Sequence, residues 1–480
     1  MPLIFLIALP VVLVWGAVYH RWRSPLAGCL AFLAVGYCLG HQFLAFDVGP
    51  VPLTLERLLL VGITGSFALH RYRGALATDR PLLKVDWLLV ALVGLLLATM
   101  FIHPAMTRGA NADGSPLWRW LAAYVMPLVL YGIARQTPIS RQWMRSVLIV
   151  LTGLGIYLAV TAVAEVNQQW WLVFPRYIAD PTIGIHFGRA RGPALASQSL
   201  GLYLTICMLS AWQLRSYVGR ATQLVLWASY PLLLTAIFFT YTRATWLAVA
   251  AGLLVLLCFE LKGIWRTVIL GGGVMAVLVI AVAFGSQLMA LKRDSSAADS
   301  RNSVYQRASF AYVSWRMFLD RPLLGVGLGN FSQAKLPYLA DRSVAIRLES
   351  IRSLEHHNTF LSLLTESGIV GLSLFLAVLV GWARAAWQLA HDSAAPAWSR
   401  SSGVLLLAML VAYVFPAMFH DVTLSPPNQW IVFFLAGIVV GLRAELLPEE
   451  FRRGQSVRAD VPQIGTSNSD SSFGLAGSIA

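Results

Sequence analysis

Apolar stretches close to the roughly 20 residues that cross about 30 Å of hydrocarbon recur along the whole chain, and short clusters of Arg, Pro, Asp and Gly separate them. The expected spans cover residues 2–20, 24–46, 55–70, 87–102, 117–134, 146–166, 193–212, 222–241, 244–260, 267–287, 358–383, 403–420 and 429–443. A single soluble core would neither need nor tolerate 58% hydrophobic against 12% charged residues over 480 positions. The sequence therefore predicts an all-α polytopic membrane protein of about 12 transmembrane helices, with the bilayer as its solvent. The first span has no basic residue ahead of its apolar run and has Arg21 and Arg23 behind it, so it reads as a retained helix rather than a secretory signal.

Charge gives an orientation. Nineteen Lys and Arg residues fall on alternate loops, against seven in or beside the opposite short loops (Arg57, Arg108, Arg119, Arg176, Arg189, Arg191 and Arg243). The positive-inside rule puts the first set in the cytoplasm and the second outside. The net charge of +14 thus follows from topology, and the absence of a basic helix or of an aromatic nucleic-acid-binding pattern argues against nucleic acid as a partner. All four cysteines (Cys29, Cys38, Cys207, Cys258) fall inside predicted spans and read as small apolar residues.

Residues 1–445 form the membrane domain in this reading, and 446–480 a polar, disordered cytoplasmic tail. One connection is long enough to fold on its own, residues 288–357, and the charge pattern places it outside. Within it Val304, Ala308, Ala311, Trp315 and Phe318 recur at helical spacing, with Asn302, Gln306, Ser309 and Arg316 elsewhere on the wheel, which predicts an amphipathic helix suited to a membrane surface. Arg321 and Pro322 end it, and Gly325, Gly327 and Gly329 follow as a turn-rich strip lacking the Lys-Ser/Thr of a phosphate loop. A second outer loop, 167–192, is rich in aromatics (Trp170, Trp171, Phe174, Tyr177), as membrane-interface segments are.

Three outer positions put a cationic or titratable group where a span meets the outer face: Arg191, Arg243 and His357. Almost nothing joins two spans around Arg243, so its guanidinium sits at a hairpin tip, where it grips phosphate bidentately or else snorkels to lipid headgroups. His357 opens a span whose free backbone N–H groups attract anions, and histidine titrates near neutrality, as a general base requires. The bland alternative is an interfacial histidine, and His356 beside it shows that position alone does not decide. Glu366, about nine residues into its span, is a functional suspect or a packing contact. Asp86 and Glu165 read as topological, and His420-Asp421 as a pair able to orient a neighbour. No cluster has metal-ligand spacing, so no metal or other cofactor is expected.

The run His357-Asn358, nine residues, then Gly368-Ile369-Val370-Gly371-Leu372 resembles the signature of the O-antigen ligase and O-antigen polymerase superfamily of bacterial envelope glycosyltransferases. Arg307, Trp315 and Pro322 to Phe331 are similar to the segment that precedes that signature, Thr242 to Leu247 to the family's short arginine motif, and Arg191-Gly192-Pro193 to an earlier one. The resemblance covers roughly residues 185–440. It implies a bundle of about a dozen helices in the bacterial inner membrane that takes a glycan from undecaprenyl diphosphate on the periplasmic face, without nucleotide sugar or metal. Arg191 and Arg243 would hold the diphosphate and His357 would activate the acceptor hydroxyl, with Arg189, Arg307, Trp315, His356 and Asn358 binding substrate around them. The single dominant outer loop favours a ligase acting on lipid A-core over a polymerase or a protein O-oligosaccharyltransferase. A lipid-linked glycan transporter is the reading of a different class, for which Glu366 is the one supporting residue.

Overall fold

The computed structural model describes residues 24–40, 42–46, 53–74, 80–102, 116–273 and 296–447, with positions 275 and 279, and only the backbone for 46, 53, 102 and 296–304. The expected spans 2–20 and, for the greater part, 267–287 lie outside the described residues, as do Arg108 and the tail from residue 448.

The described chain is a helical bundle. Its long elements are α1 (Pro25–Cys38), α2 (Leu55–Tyr72), α3 (Lys84–Ile102), α4 (Pro116–Gln136), α5 (Arg141–Val166), α6 (Ser197–Leu214), α7 (Arg220–Phe239), α8 (Arg243–Glu260), α9 (Ser296–Asp320), α10 (Thr359–His391), α11 (Ala397–Phe419) and α12 (Pro426–Glu445). A two-residue hairpin, Ala45–Phe46 against Leu53–Thr54, precedes α2. Eight of these helices (α3, α4, α5, α7, α8, α10, α11, α12) are long and apolar enough to cross a membrane. They turn large apolar side chains such as Trp87, Val90, Leu224, Val225 and Leu234 outward, which suits a hydrocarbon solvent. This is an all-α polytopic membrane protein.

Three expected spans differ from that set in instructive ways. The 24–46 segment gives a helix of only 14 residues, and α2 carries Glu56, Arg57, His70 and Arg71 within its 18. The 193–212 segment becomes helical only at Ser197, because Gly192 and Leu195 take left-handed backbone conformations (φ +58° and +52°). The resulting α6 is buried almost throughout. A helix enclosed by protein has no lipid to face, and its Ser and Thr hydroxyls turn onto its own carbonyls, Thr205 to Gly201 at 2.7 Å and Ser210 to Ile206 at 2.9 Å. Small residues let neighbours close on it: a Cβ at Gly155 of α5 would lie 2.5 Å from Cys207, and one at Gly201 2.6 Å from Thr245 of α8. In α4 a π-helical turn (Leu121–Val125) precedes Pro127, opening the helix where the proline ring would strike the preceding turn.

Outside the bundle, α9 and residues 321–358 pack around their own apolar cluster of Phe310, Val313, Met317, Val326, Phe331, Leu339, Leu348 and Ile351. This corrects the expected helical wheel. The buried stripe of α9 is Phe310, Val313 and Met317, while Ala308, Ala311 and Trp315 of the expected stripe point outward, Trp315 at 54% exposure. Both faces of α9 are apolar, so composition alone does not tell which one packs.

The glycine strip joins this outer unit to the bundle. Helix α10 is broken at Gly368 (φ +65°, ψ −167°), a conformation reserved for glycine. The backbone of 322–327 lies across the break: Val326 and Gly327 N–H donate to the Thr365 and Glu366 carbonyls (both 2.9 Å), and Ile369 and Val370 N–H to those of Pro322 and Leu323 (2.8 and 3.3 Å). The helix carbonyls and N–H groups orphaned by the break thus find partners in the loop, as buried backbone must. A Cβ at Gly368 would sit 2.2 Å from the Leu323 carbonyl oxygen, so this contact needs glycine twice over.

Candidate functional site

At the end of the bundle where α7 and α11 finish and α8, α10 and α12 begin, the structure holds a cleft of about 1360 Å³. Its walls come from α1, the 184–198 segment, the α7–α8 hairpin, α9 and the two loops flanking α10 and α12. Arg189, Arg243, Arg307, His356 and His357 all line it, drawn from four separate stretches of sequence.

Arg243 stands where the hairpin turns. Tyr241 takes φ +49°, Thr242 occupies the N-cap of α8, and Arg243 is the first helical residue. The turn is braced from within, the Thr245 hydroxyl donating to the Thr242 carbonyl (2.7 Å) and the Thr240 hydroxyl to that of Ile237 (2.7 Å). The positive end of the α8 dipole lies beside the guanidinium. Arg307 comes from α9, and its guanidinium lies 5.4 Å from the Phe419 ring.

Arg191 is placed differently from the expectation that it holds a diphosphate. It is completely buried and does not line the cleft. Its Nε reaches Glu165 Oε1 (3.3 Å), and its terminal nitrogens donate to the carbonyls of Ile183 (2.8 Å), Ile178 (2.7 Å) and Asp180 (3.2 Å). Glu165 Oε2 also accepts from the Arg191 and Gly192 backbone N–H groups (2.9 and 3.0 Å). Arg191 therefore pins the 178–192 loop onto the end of α5, and Glu165, which reads as topological in sequence, is its counter-ion. Arg189, two residues earlier, is the cleft-facing arginine of this loop. Asn358 likewise serves the framework: its Oδ1 caps α10 through the Leu361 N–H (2.9 Å) and its Nδ2 donates to the Met418 carbonyl (2.7 Å). Trp315 lies outside the cleft, against Phe318 (ring centroids 5.5 Å apart).

The two adjacent histidines have opposite environments. His357 is exposed in the cleft and stacks on Phe310 (5.1 Å between centroids), and its Nδ1 lies 2.8 Å from the Glu355 carbonyl oxygen. A carbonyl only accepts, so Nδ1 carries the hydrogen and Nε2 of the neutral ring presents its lone pair. His356 is buried, its ring centroid 3.5 Å from that of Phe331, and its Nε2 lies 2.8 Å from Thr365 Oγ1. The Thr365 hydroxyl already donates to the carbonyls of α10, so His356 Nε2 is the donor and its Nδ1 is left buried with no hydrogen-bond partner. Burial holds the His356 imidazolium well below the usual range, and Arg119, Lys335 and His357 push the same way. His420, 6.4 Å from His357, is brought down to about 3, by burial first and then by His357, His186, Arg307 and Arg189. Both therefore stay neutral. Among the described residues no group of three or more His, Cys, Asp or Glu is placed to hold a metal ion.

Beneath the cleft lies a network centred on Arg119 of α4. Its NH1 donates to both Glu366 oxygens (3.0 and 2.9 Å), and its NH2 to Asp421 Oδ2 (2.9 Å), Ser362 Oγ (3.0 Å) and Thr423 Oγ1 (3.0 Å). Glu366, itself buried, thus has a half-buried cationic partner, and Asp421 lines the cleft. In sequence Arg119 counts only as one loop arginine among seven. Glu366 and Asp421 signal that a partner exists, but it lies 247 and 302 positions away.

Residues 228–376 match the family model described as O-antigen ligase. The match takes in Arg243, Arg307, both histidines, Asn358 and the broken helix, and stops short of Arg119, Arg189 and Asp421. No curated protein matches the chain. With a polytopic helical bundle and the matched segment walling its cleft, residues 228–376 place this part of the chain with the O-antigen ligase family and support an enzyme of the ligase and polymerase type.

Proposed function

We propose that the cleft transfers a polysaccharide from undecaprenyl diphosphate to a hydroxyl of lipid A-core, the O-antigen ligase reaction of lipopolysaccharide synthesis, at the periplasmic face of the bacterial inner membrane. The observation that carries this reading is His357: its Nδ1–H is committed to the Glu355 carbonyl, so its Nε2 lone pair faces a cleft shared with Arg189, Arg243 and Arg307. Nε2 takes the proton of the acceptor hydroxyl as that oxygen attacks the anomeric carbon. The bond from that carbon to the diphosphate oxygen breaks with inversion, and the diphosphate leaves with the electron pair. Arg243, at the positive end of the α8 dipole, and Arg189 and Arg307 neutralise the charge that grows on it. Arg191 acts at one remove, by holding the loop that carries Arg189. The distribution of Lys and Arg over the loops supports the outward orientation.

The test is transfer by purified protein in the presence of chelator, from undecaprenyl diphosphate-linked glycan to lipid A-core. Wild type forms product, and His357→Ala loses about 10²- to 10⁴-fold in kcat, the usual worth of a general base. A His357→Ala enzyme at the wild-type rate overturns the mechanism. Elongation of a second lipid-linked repeat in place of lipid A-core makes the enzyme a polymerase, and transport without bond formation makes it a carrier.

A further inference from the structure

A second hollow, a groove of about 520 Å³, runs over the outer unit between Gln306, Arg342, Arg347, Glu349 and Ser350. Gln306 lines both this groove and the large cleft, so the two adjoin, and they meet beside Arg307 on the same helix that stacks Phe310 under His357. The groove is cationic. Glu349 is shared by Arg352 (2.7 Å) and Arg342 (3.7 Å), and among the described residues Arg347 has no carboxylate in ion-pair range. The Arg347 guanidinium instead lies 5.4 Å from the centroid of Tyr305, a ring 40% exposed. Its backbone is fixed, because the Ser309 and Ser350 hydroxyls both donate to the Arg347 carbonyl (3.1 and 2.6 Å). Tyr305 precedes the lining residue Gln306 at the edge of the groove, and an exposed ring next to a guanidinium held by its backbone suits a sugar with an anionic substituent, since pyranose faces stack on aromatic rings and a guanidinium binds phosphate or carboxylate bidentately.

We propose that this groove is the acceptor subsite, and that it takes a saccharide bearing phosphate or carboxylate groups, with Tyr305 under the ring and Arg347 and Arg342 on the anion. It rests on the glycosyl-transfer reading above. The acceptor, rather than the donor, is assigned here because the shared residue Gln306 lies one helical turn from Phe310, the ring stacked on His357, which draws the proton from the attacking hydroxyl.

The experiment compares wild type with Arg347→Ala and Tyr305→Ala in bilayer discs of zwitterionic lipid and, in parallel, of anionic lipid, using lipid A-core acceptor intact or enzymatically dephosphorylated. For Arg347→Ala the KM for intact acceptor rises about tenfold, the worth of one charge-assisted hydrogen bond at an exposed site, while the KM for donor stays put. With dephosphorylated acceptor the wild type shows the same rise and Arg347→Ala adds nothing further. A rise in donor KM instead would give the groove to the donor glycan, an effect confined to discs of anionic lipid would give it to lipid headgroups, and unchanged acceptor KM would remove it altogether. Titrating the free phosphorylated core oligosaccharide onto the unreacted protein separates the two proposals. A Kd about tenfold weaker in Arg347→Ala upholds the groove even where no turnover is seen, and equal affinity overturns it.

Discussion

Replacing Arg119 with Met tests the network under the cleft most directly. The substitution deletes five donated hydrogen bonds of 2.9 to 3.0 Å and leaves Glu366 and Asp421, both almost without exposure, facing one another with no cation between them. Removing one partner of a buried ion pair costs about 3–5 kcal/mol, mostly because the stranded charge has lost its water and found nothing in exchange. The five bonds are not independent, so their separate values do not add. Against a domain stability of about 5–15 kcal/mol such a loss is large, and it is readable as a shift in reversible denaturant unfolding in micelles at pH 7. Glu366→Leu in the same background removes one of the two stranded carboxylates. The double variant is expected to recover about 1–3 kcal/mol relative to the sum of the two single losses, and Arg119→Lys, a point charge that cannot fork across both acids, falls between. A loss below about 1 kcal/mol in Arg119→Met, or strict additivity in the double variant, would refute the buried-network reasoning.

Arg191→Ala strands Glu165 in the same way, so unfolding measurements should register about 3–5 kcal/mol, whereas an inactive variant of wild-type stability would return Arg191 to substrate. Gly368→Ala meets both the φ of +65° and the Leu323 oxygen, and is expected to cost more than about 3 kcal/mol in the same assay. His420 is held down to about 3 in the folded protein against an ordinary value near 6.5. The unfolded chain therefore takes up the proton first, and the stability present above about pH 6.5 is lost as pH falls through that window toward 3. At pH 5 this amounts to about 2 kcal/mol, which His420→Gln should abolish; an identical pH profile in the variant counts against a neutral His420 in the folded protein.

The bundle was legible in sequence because hydrocarbon imposes one length on everything that crosses it, and that signal is local. Boundaries were less so. Nothing within 193–196 announces that Leu195 will take a left-handed conformation and delay α6 to Ser197. Arg243 and His357 were found at the cleft because each sits at a helix start, which the chain itself marks. Arg191 was read by its type and position, but its role was set by Glu165, 26 residues back. Arg119 was unreadable for the same reason at ten times the distance. On α9 both stripes are apolar, and only the residues of 326–351 that close over Phe310 and Met317 choose between them.

The stitched break at Gly368 bears on how such proteins can be taken apart or recombined. Four backbone hydrogen bonds run between residues 322–327 and the two halves of α10, so the outer unit ends inside the membrane helix rather than at its surface. Exchanging the outer unit between relatives to alter which acceptor is served would fail if cut at His357. The graft has to carry residues up to at least Val370, and a soluble fragment ending before α10 would leave the carbonyls and N–H groups of the strip without their partners.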